Sequence, residues 1–247
     1  NEFGTTLTPL SPASFDSSSN NKRLCNFYKV KSLDGFGNFL RAEISALGAI
    51  IDYLEITQKG KLPALKAPIK ENLEKFMQID ASTRRNLELT QTLSGSKKGS
   101  LLDVIDRTVT GPGARLLEKR LSGPSTCLNI INPRLDAIES YTSNNTLRLE
   151  IQNILRQTSD IERAFSRLSL DRGGPRDFIA IRNSLRKGQE LSLGIIDINS
   201  DLINNAKENL TGNGEIINLL DDVFGDDAPL LARDGGFVRS GFNKDLD

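Results

Sequence analysis

Residues Met77 to Ser125 read MQIDASTRRNLELTQTLSGSKKGSLLDVIDRTVTGPGARLLEKRLSGPS, and the punctuation of that stretch sets the fold class. Asp80 stands where a carboxylate can accept an amide proton from the next turn, so ASTRRNLELTQTL predicts a helix of about three turns. Leu87, Leu89 and Leu93 form no single stripe, which predicts burial on more than one side. SGSKKGS supplies a turn with two glycines, and Leu101, Leu102 and Ile105 then start a short helix. Gly111-Pro112-Gly113 interrupts before a helix over Ala114 to Leu121, with Pro112 placed in a first turn behind a capping Thr110.

Toward the N-terminus, Asn1 to Asn21 is rich in Ser, Thr, Pro and Asn, which predicts a loop or tether with one turn at Pro12 to Phe15. A short helix over Lys22 to Tyr28 and the LDGFG turn follow. Phe39, Leu40, Ile44, Leu47, Ile50, Ile51 and Leu54 recur at helical spacing, giving a helix from Phe39 to Lys59 ended by Gly60 and Pro63. The alternation at Phe76, Met77 and Ile79 predicts a short strand.

Toward the C-terminus, Asn132-Pro133 marks a helix start, and helices follow over Thr146 to Gln157 and Ser159 to Leu170. Ser159 and Glu162 have the spacing of a capping box. Pro175 opens a helix through Phe178, Ile181 and Leu185 toward Leu191. Shorter, more acidic helices are expected near Asp201 to Leu210 and Glu215 to Phe224, then a turn and a short strand before Asp247. Nearly every period is 3.6, so the expectation is an all-α bundle of long helices with minor short strands near the ends. No repeat of solenoid length stands out.

The chain of 247 residues, 37% hydrophobic and 26% charged, suffices for one or two helix-rich domains. It has no histidine, which excludes Ser-His-Asp and Cys-His nucleophiles and histidine-bearing zinc sites. Cys25 and Cys127 lie far apart with no signal peptide, so a reduced cytoplasmic protein is expected, and no apolar run approaches a membrane span. A first residue other than Met suggests a piece of a longer protein. Formal charge is zero, yet from Asp197 onward four basic residues face eleven acidic ones, a balance of −7 offset by +7 earlier in the chain. Such asymmetry fits an anionic partner at one end or solvated helix faces of opposite sign.

Asp103 with Asp106, and Asp221 with Asp222, read as exposed charges rather than catalytic pairs. SGSKKGS fails as a phosphate loop: Gly95 and Gly99 are too close, Ser100 rather than Lys follows the second glycine, and no strand precedes it. Asn144-Asn145-Thr146 matches a glycosylation sequon that a cytoplasmic protein would not use. Between Ala81 and Ser125, Arg84, Arg85, Lys97, Lys98, Arg107, Arg115, Lys119 and Arg120 face four acidic residues. That charge could meet phosphate, but the window holds no aromatic on which a base could stack. Adjacent Arg84 and Arg85 diverge on a helix, so one of them is expected in an internal ion pair.

The chain resembles the core, or lever, domain of the bacterial MutS family of DNA mismatch-repair proteins. The pattern IDxxTRRNLELTxxLxG is carried by Ile79, Asp80, Thr83, Arg84, Arg85, Asn86 and Leu87. The following LLxxIDxTVTxxGxRLLxxxLxxP is carried by Ile105, Asp106, Thr108, Val109, Thr110, Gly113, Arg115, Leu116, Leu117 and Pro124. Leu33 to Gly60, Asp160 to Phe178 and RDGGFVRSGFNKDLD at Arg233 to Asp247 match in the same order.

The resemblance implies a connector edge and entry helix over residues 1–62, a helical core over 63–239, and the start of the passage to a DNA clamp over 240–247. It implies a segment that relays nucleotide-dependent motion between an ATPase domain and that clamp. Mismatched double-stranded DNA, a second MutS subunit, ATP and Mg would belong to the parent protein. No catalytic, cofactor or metal residue transfers to this chain, and which residues touch DNA is unknown. The lever helix that completes the core in the family is missing, so an apolar face should stand uncovered and favour self-association. Apart from the resemblance, a stand-alone helical adaptor for a protein partner and a small phosphotransferase using Lys97 or Lys98 are the competing readings.

Overall fold

The computed structural model describes residues 9–59, 62–70, 75–194, 200–225, 228–229 and 232–247. Among these, short 3-10 helices at Pro12–Phe15, Asp34–Phe36 and Ala232–Asp234 accompany eleven α-helices: α1 (Ser17–Tyr28), α2 (Arg41–Thr57), α3 (Ala81–Asn86), α4 (Leu101–Ile105), α5 (Gly111–Ser122), α6 (Leu128–Ser143), α7 (Asn145–Arg156), α8 (Ile161–Ser169), α9 (Pro175–Gly194), α10 (Asp201–Asn209) and α11 (Gly214–Val223). The all-α architecture is as expected. The strands expected at both ends reduce to isolated bridges, Phe76 with Ser125 and Phe224 with Val238. The chain divides into two compact units, Asn1–Glu71 with Ser169–Asp171, and Asn72–Leu168 with Arg172–Asp247.

The first unit is built on α1 against α2. The turn at Pro12–Phe15 is present, but the loop expected up to Asn21 is not: the Asp16 carboxylate accepts the Ser19 amide at 2.7 Å and starts the helix at Ser17. The α2 helix begins at Arg41, where the Glu43 carboxylate reaches back to the Leu40 amide at 2.6 Å. It ends at Thr57, and the expected stop at Gly60 lies outside the described residues. Leu24, Leu33 and Ile51 are buried at the centre, ringed by aromatic side chains that include Phe27, Tyr28 and Phe36. Asn20 is fully buried between the helices and donates from Nδ2 to the carbonyls of Ser14 (2.8 Å) and Ser45 (3.2 Å).

In the second unit, the helix expected over Ala81–Leu93 lasts only six residues. Glu88 adopts a left-handed backbone (φ 49°), which ends it, and the Glu88 carboxylate then accepts the Leu93 amide at 2.6 Å. The turn folds back so that the Leu101 and Leu102 amides donate to the carbonyls of Glu88 (3.0 Å) and Leu89 (2.9 Å). Leu89 and Leu102 are buried by that pairing while Leu87 and Leu93 stay exposed, so of the three leucines only Leu89 is buried, where burial on more than one side is expected from the sequence.

The proline signal at Pro133 was also misplaced. The α6 helix starts at Leu128 and accepts Pro133 in its second turn, where the ring nitrogen has no proton to offer the Asn129 carbonyl. The Asn144 of the sequon caps α7, accepting the Leu147 amide at 3.1 Å. At α8 the cap is Asp160, which accepts the Arg163 amide at 3.3 Å, whereas the Ser159 amide bonds the Ser184 hydroxyl. The cap thus falls one residue later than expected, and with Arg163 at the third helical position it is a single cap rather than the expected Ser159–Glu162 box.

Burial in this unit is thin. Ala137 and Ile203, with Tyr141 and Ile151 beside them, form a small cluster where α6 and α10 meet. Large apolar side chains stand exposed along single helix faces, among them Leu135 and Ile138 on α6 and Ile216 and Leu219 on α11. The buried face of α9 is polar and small: Arg182, Ser184, Gly188 and Ser192 accompany Leu191.

Candidate functional site

The polar residues of the Met77–Ser125 stretch are occupied in turning and joining helices. Asp80 accepts the Ser82 hydroxyl (2.6 Å), the Thr83 amide (2.8 Å) and the Thr83 hydroxyl (2.7 Å), so one carboxylate both caps α3 and fixes its first turn. Those bonds, the Ser82 hydroxyl foremost, hold its carboxyl far below the usual range. Asp106 repeats the device after α4. It accepts the Thr108 hydroxyl at 2.6 Å and amide at 3.0 Å, and Lys97 stands 3.6 Å away. Thr108 is the main cause of its lowered pKa. Asp103, expected as an exposed charge, accepts the Gly99 amide at 3.0 Å.

Thr110 caps α5 as expected, accepting the Gly113 amide at 3.1 Å. A Cβ at Gly113 would lie 2.9 Å from that Thr110 oxygen, so the motif glycine leaves room for the cap.

One turn further, Arg115 makes a forked contact with Asp160, Nη1 to Oδ2 at 2.7 Å and Nη2 to Oδ1 at 3.1 Å, and reaches Glu162 at 3.2 Å. The pairing raises the Arg115 pKa and lowers that of Asp160. Arg115 thus ties α5 to the start of α8, and Asp160 serves as tie and cap at once. Arg167 on α8 pairs with Asp177 on α9 and continues the line.

The middle of α9 carries a second junction. Arg182, 1% exposed, donates from Nη1 to the Phe224 carbonyl at 3.2 Å and lies 3.3 Å from Asp221 Oδ1, an ion contact rather than an aligned hydrogen bond. Arg186 donates to the other oxygen of Asp221 at 2.5 Å. Asp221, expected as a free charge, instead joins α11 to α9. Sequence periodicity could not show this, because the face counted as apolar in α9 ran through Phe178, Ile181 and Leu185.

Several basic residues of the Ala81–Ser125 window have separate local contacts. Arg84 donates to the Ile79 carbonyl at 3.3 Å and Arg107 to the Asp106 carbonyl at 3.0 Å. Neither Arg84 nor Arg85 enters an ion pair among the described residues; Arg115 takes the internal role expected of one of them. Arg84 and Arg85 of α3 border an open cleft of about 390 Å³ with Thr90, Thr92 and Leu93 of the turn that follows. The SGSKKGS segment is a pair of turns in which Lys97 stands 3.6 Å from Asp106 and the Ser100 hydroxyl donates to the Lys97 carbonyl at 2.7 Å. Among the described residues, no group of three His, Cys, Asp or Glu side chains could hold a metal ion, and no helix is long and apolar enough to cross a membrane.

A pH consequence follows from the three aspartates. Their native pKa values are depressed, so their contribution is fully present above the unfolded carboxylate value of about 3.9 and is lost as pH falls through the lower native values. Thermal melts should give stability unaffected by Asp80, Asp106 and Asp160 from pH 7 to 5, then a steep decline below about pH 4. A decline in Asp160→Asn as steep as that of the unaltered chain would contradict the assignment of Asp160.

Comparison with known proteins places these junctions in context. The sequence model described as MutS domain III matches residues 82–240, and that described as MutS domain II matches residues 2–66. The chain is 53% identical over 247 residues to the DNA mismatch repair protein MutS of Ruegeria sp. (strain TM1040), covering all of this chain and 28% of that protein. It is 54% identical over 242 residues to the protein of the same name from Ruegeria pomeroyi, and 49% identical over 246 residues to that of Paracoccus denitrificans, again spanning 28% of each.

Proposed function

Because the chain belongs to the MutS family, we propose that it is a transmission segment of a DNA mismatch-repair protein, relaying nucleotide-dependent movement between an ATPase domain and a DNA clamp. In this reading residues 1–62 form the connector edge and entry helix, 63–239 the helical core, and 240–247 the start of the passage to the clamp. Mismatched DNA, a second subunit, ATP and its Mg are engaged by other parts of the whole protein, and this chain hydrolyses no nucleotide itself. The uncovered leucines and isoleucines of α6 and α11 suit association with a further element or with a second copy.

The observation that carries the reading is the use made of the motif residues. Asp80, Asp106 and Thr110 lock helix starts, and Arg115 spans 45 residues to bind Asp160. All of this polar chemistry serves stiffness, and packed helices move as units rather than deforming gradually. The α9 helix, with 20 residues, extends about 30 Å, long enough to carry displacement across the unit.

The test uses the full-length protein bearing Arg115→Met with Asp160→Asn. The pair removes both charges together and Asn retains the cap, so no buried charge is stranded. Basal ATP hydrolysis should be preserved while ATP-triggered departure from mismatched DNA slows by about tenfold, the size of an ordinary coupling loss. Hydrolysis and departure both at the unaltered rates would remove the relay role from this junction.

A further inference from the structure

We propose that Phe237–Arg239 is a releasable latch on the α9–α11 end of the second unit, hinged at Gly235–Gly236, whose opening disengages the segment as one event.

Four contacts hold it to a single place. The Phe237 ring stacks on Phe224 (centroids 6.3 Å apart, planes 18°), and Phe224 stacks in turn on Phe178 of α9 (5.0 Å, 15°). The Arg239 amide donates to the Val223 carbonyl at 2.8 Å, and the Gly225 amide donates to the Phe237 carbonyl at 3.4 Å. Arg239 Nε donates to the Phe224 carbonyl at 3.1 Å, the same oxygen that accepts buried Arg182 at 3.2 Å. Phe224 is thus shared: its ring lies between α9 and the latch, and its carbonyl bridges the guanidinium of each.

The hinge side is built differently. Gly235 and Gly236 both adopt left-handed backbone, φ 67° and 68°, with nothing within 4 Å of where a Cβ would stand. Two consecutive residues of that kind with open space around them permit rotation without collision. A lone bridge between Phe224 and Val238, with no strand on either side, opens without dismantling a ladder. Releasing the latch removes one of the two charged donors on the Phe224 carbonyl and uncovers the Phe224 ring, now 7% exposed. The inference rests on the relay reading only for what would pull the latch, through the residues beyond Gly241; its existence is decided on the chain alone.

The experiment is native-state amide hydrogen exchange on the 247-residue chain, read at Gly225 and Arg239 with the Leu185 amide of α9 as internal reference. Both latch amides should exchange at one common rate, faster than Leu185. Phe237→Ala should accelerate both by about tenfold, the equivalent of one lost ring contact, with Leu185 unchanged. Gly236→Ala, which disfavours only the left-handed backbone of the docked form, should accelerate both in the same direction and decides the matter if Phe237→Ala fails to fold. Exchange of Gly225 and Arg239 at the Leu185 rate, or acceleration of one without the other, overturns the latch. Unchanged latch amides in both variants do so as well.

Discussion

Replacing Arg182 by methionine is expected to destabilise the second unit by about 2–3 kcal/mol, the usual consequence of removing a buried charged hydrogen-bond donor. The arginine is 1% exposed and its guanidinium faces Asp221 Oδ1 and the Phe224 carbonyl. Methionine fills much of the aliphatic stem's volume, so packing loss is small and the effect reports on the polar end. What remains is a carboxylate oxygen facing an apolar side chain, with Arg186 retained on the other oxygen. Adding Asp221→Leu should return none of the loss, because Arg186 then loses its carboxylate partner as well. Urea unfolding of the single and double variants checks this. A single variant within about 1 kcal/mol of the unaltered chain would show that the junction is solvated rather than buried.

The second large effect is expected at Gly48, where α2 crosses α1. A Cβ there would lie 2.1 Å from Asn20 Cγ and 2.3 Å from Asn20 Cβ. The Cβ of Asn20 is fixed to its backbone, so no rotamer change relieves the clash and the helices must separate. Separation also breaks the Asn20 bonds to the Ser14 and Ser45 carbonyls, leaving a buried amide without partners. Overpacking and an unsatisfied polar group together place Gly48→Ala at about 3 kcal/mol or more. The loss should appear as faster exchange in α1 and α2. Unchanged exchange there would mean that the two helices tolerate a wider spacing than their packing implies.

Helix identity was legible where one face is continuous, and illegible where a partner distant in sequence decides. The α2 helix was readable because Ile44, Leu47, Ile51 and Leu54 repeat at helical spacing, and α5 because Thr110 and Pro112 announce it locally. Ser17–Asn21 was missed because serines and asparagines favour loops until a capping aspartate precedes them, as Asp16 does. The early stop of α3 depends on Glu88 turning left-handed, which no propensity for glutamate foretells.

The junctions were the least accessible. Arg115 and Asp160 stand 45 residues apart, and Arg182 lies on a face that apolar counting ignores. The family resemblance, carried by those same motif residues, supplied the relay expectation that local pattern alone did not. What the motif residues do physically, capping helices and tying them together, is visible only in their contacts.

The most direct measurement of stiffness is a pair of spin labels at Glu118 on α5 and Glu190 on α9 in the full-length protein, with the distance between them read in ATP-bound and ADP-bound states. A relay of packed helices predicts one narrow distribution that is the same in both states, while labels on the flanking domains change separation. A distribution that shifts or broadens between these two helices would mean that the segment deforms internally, and the account of it as a rigid transmission element would be wrong.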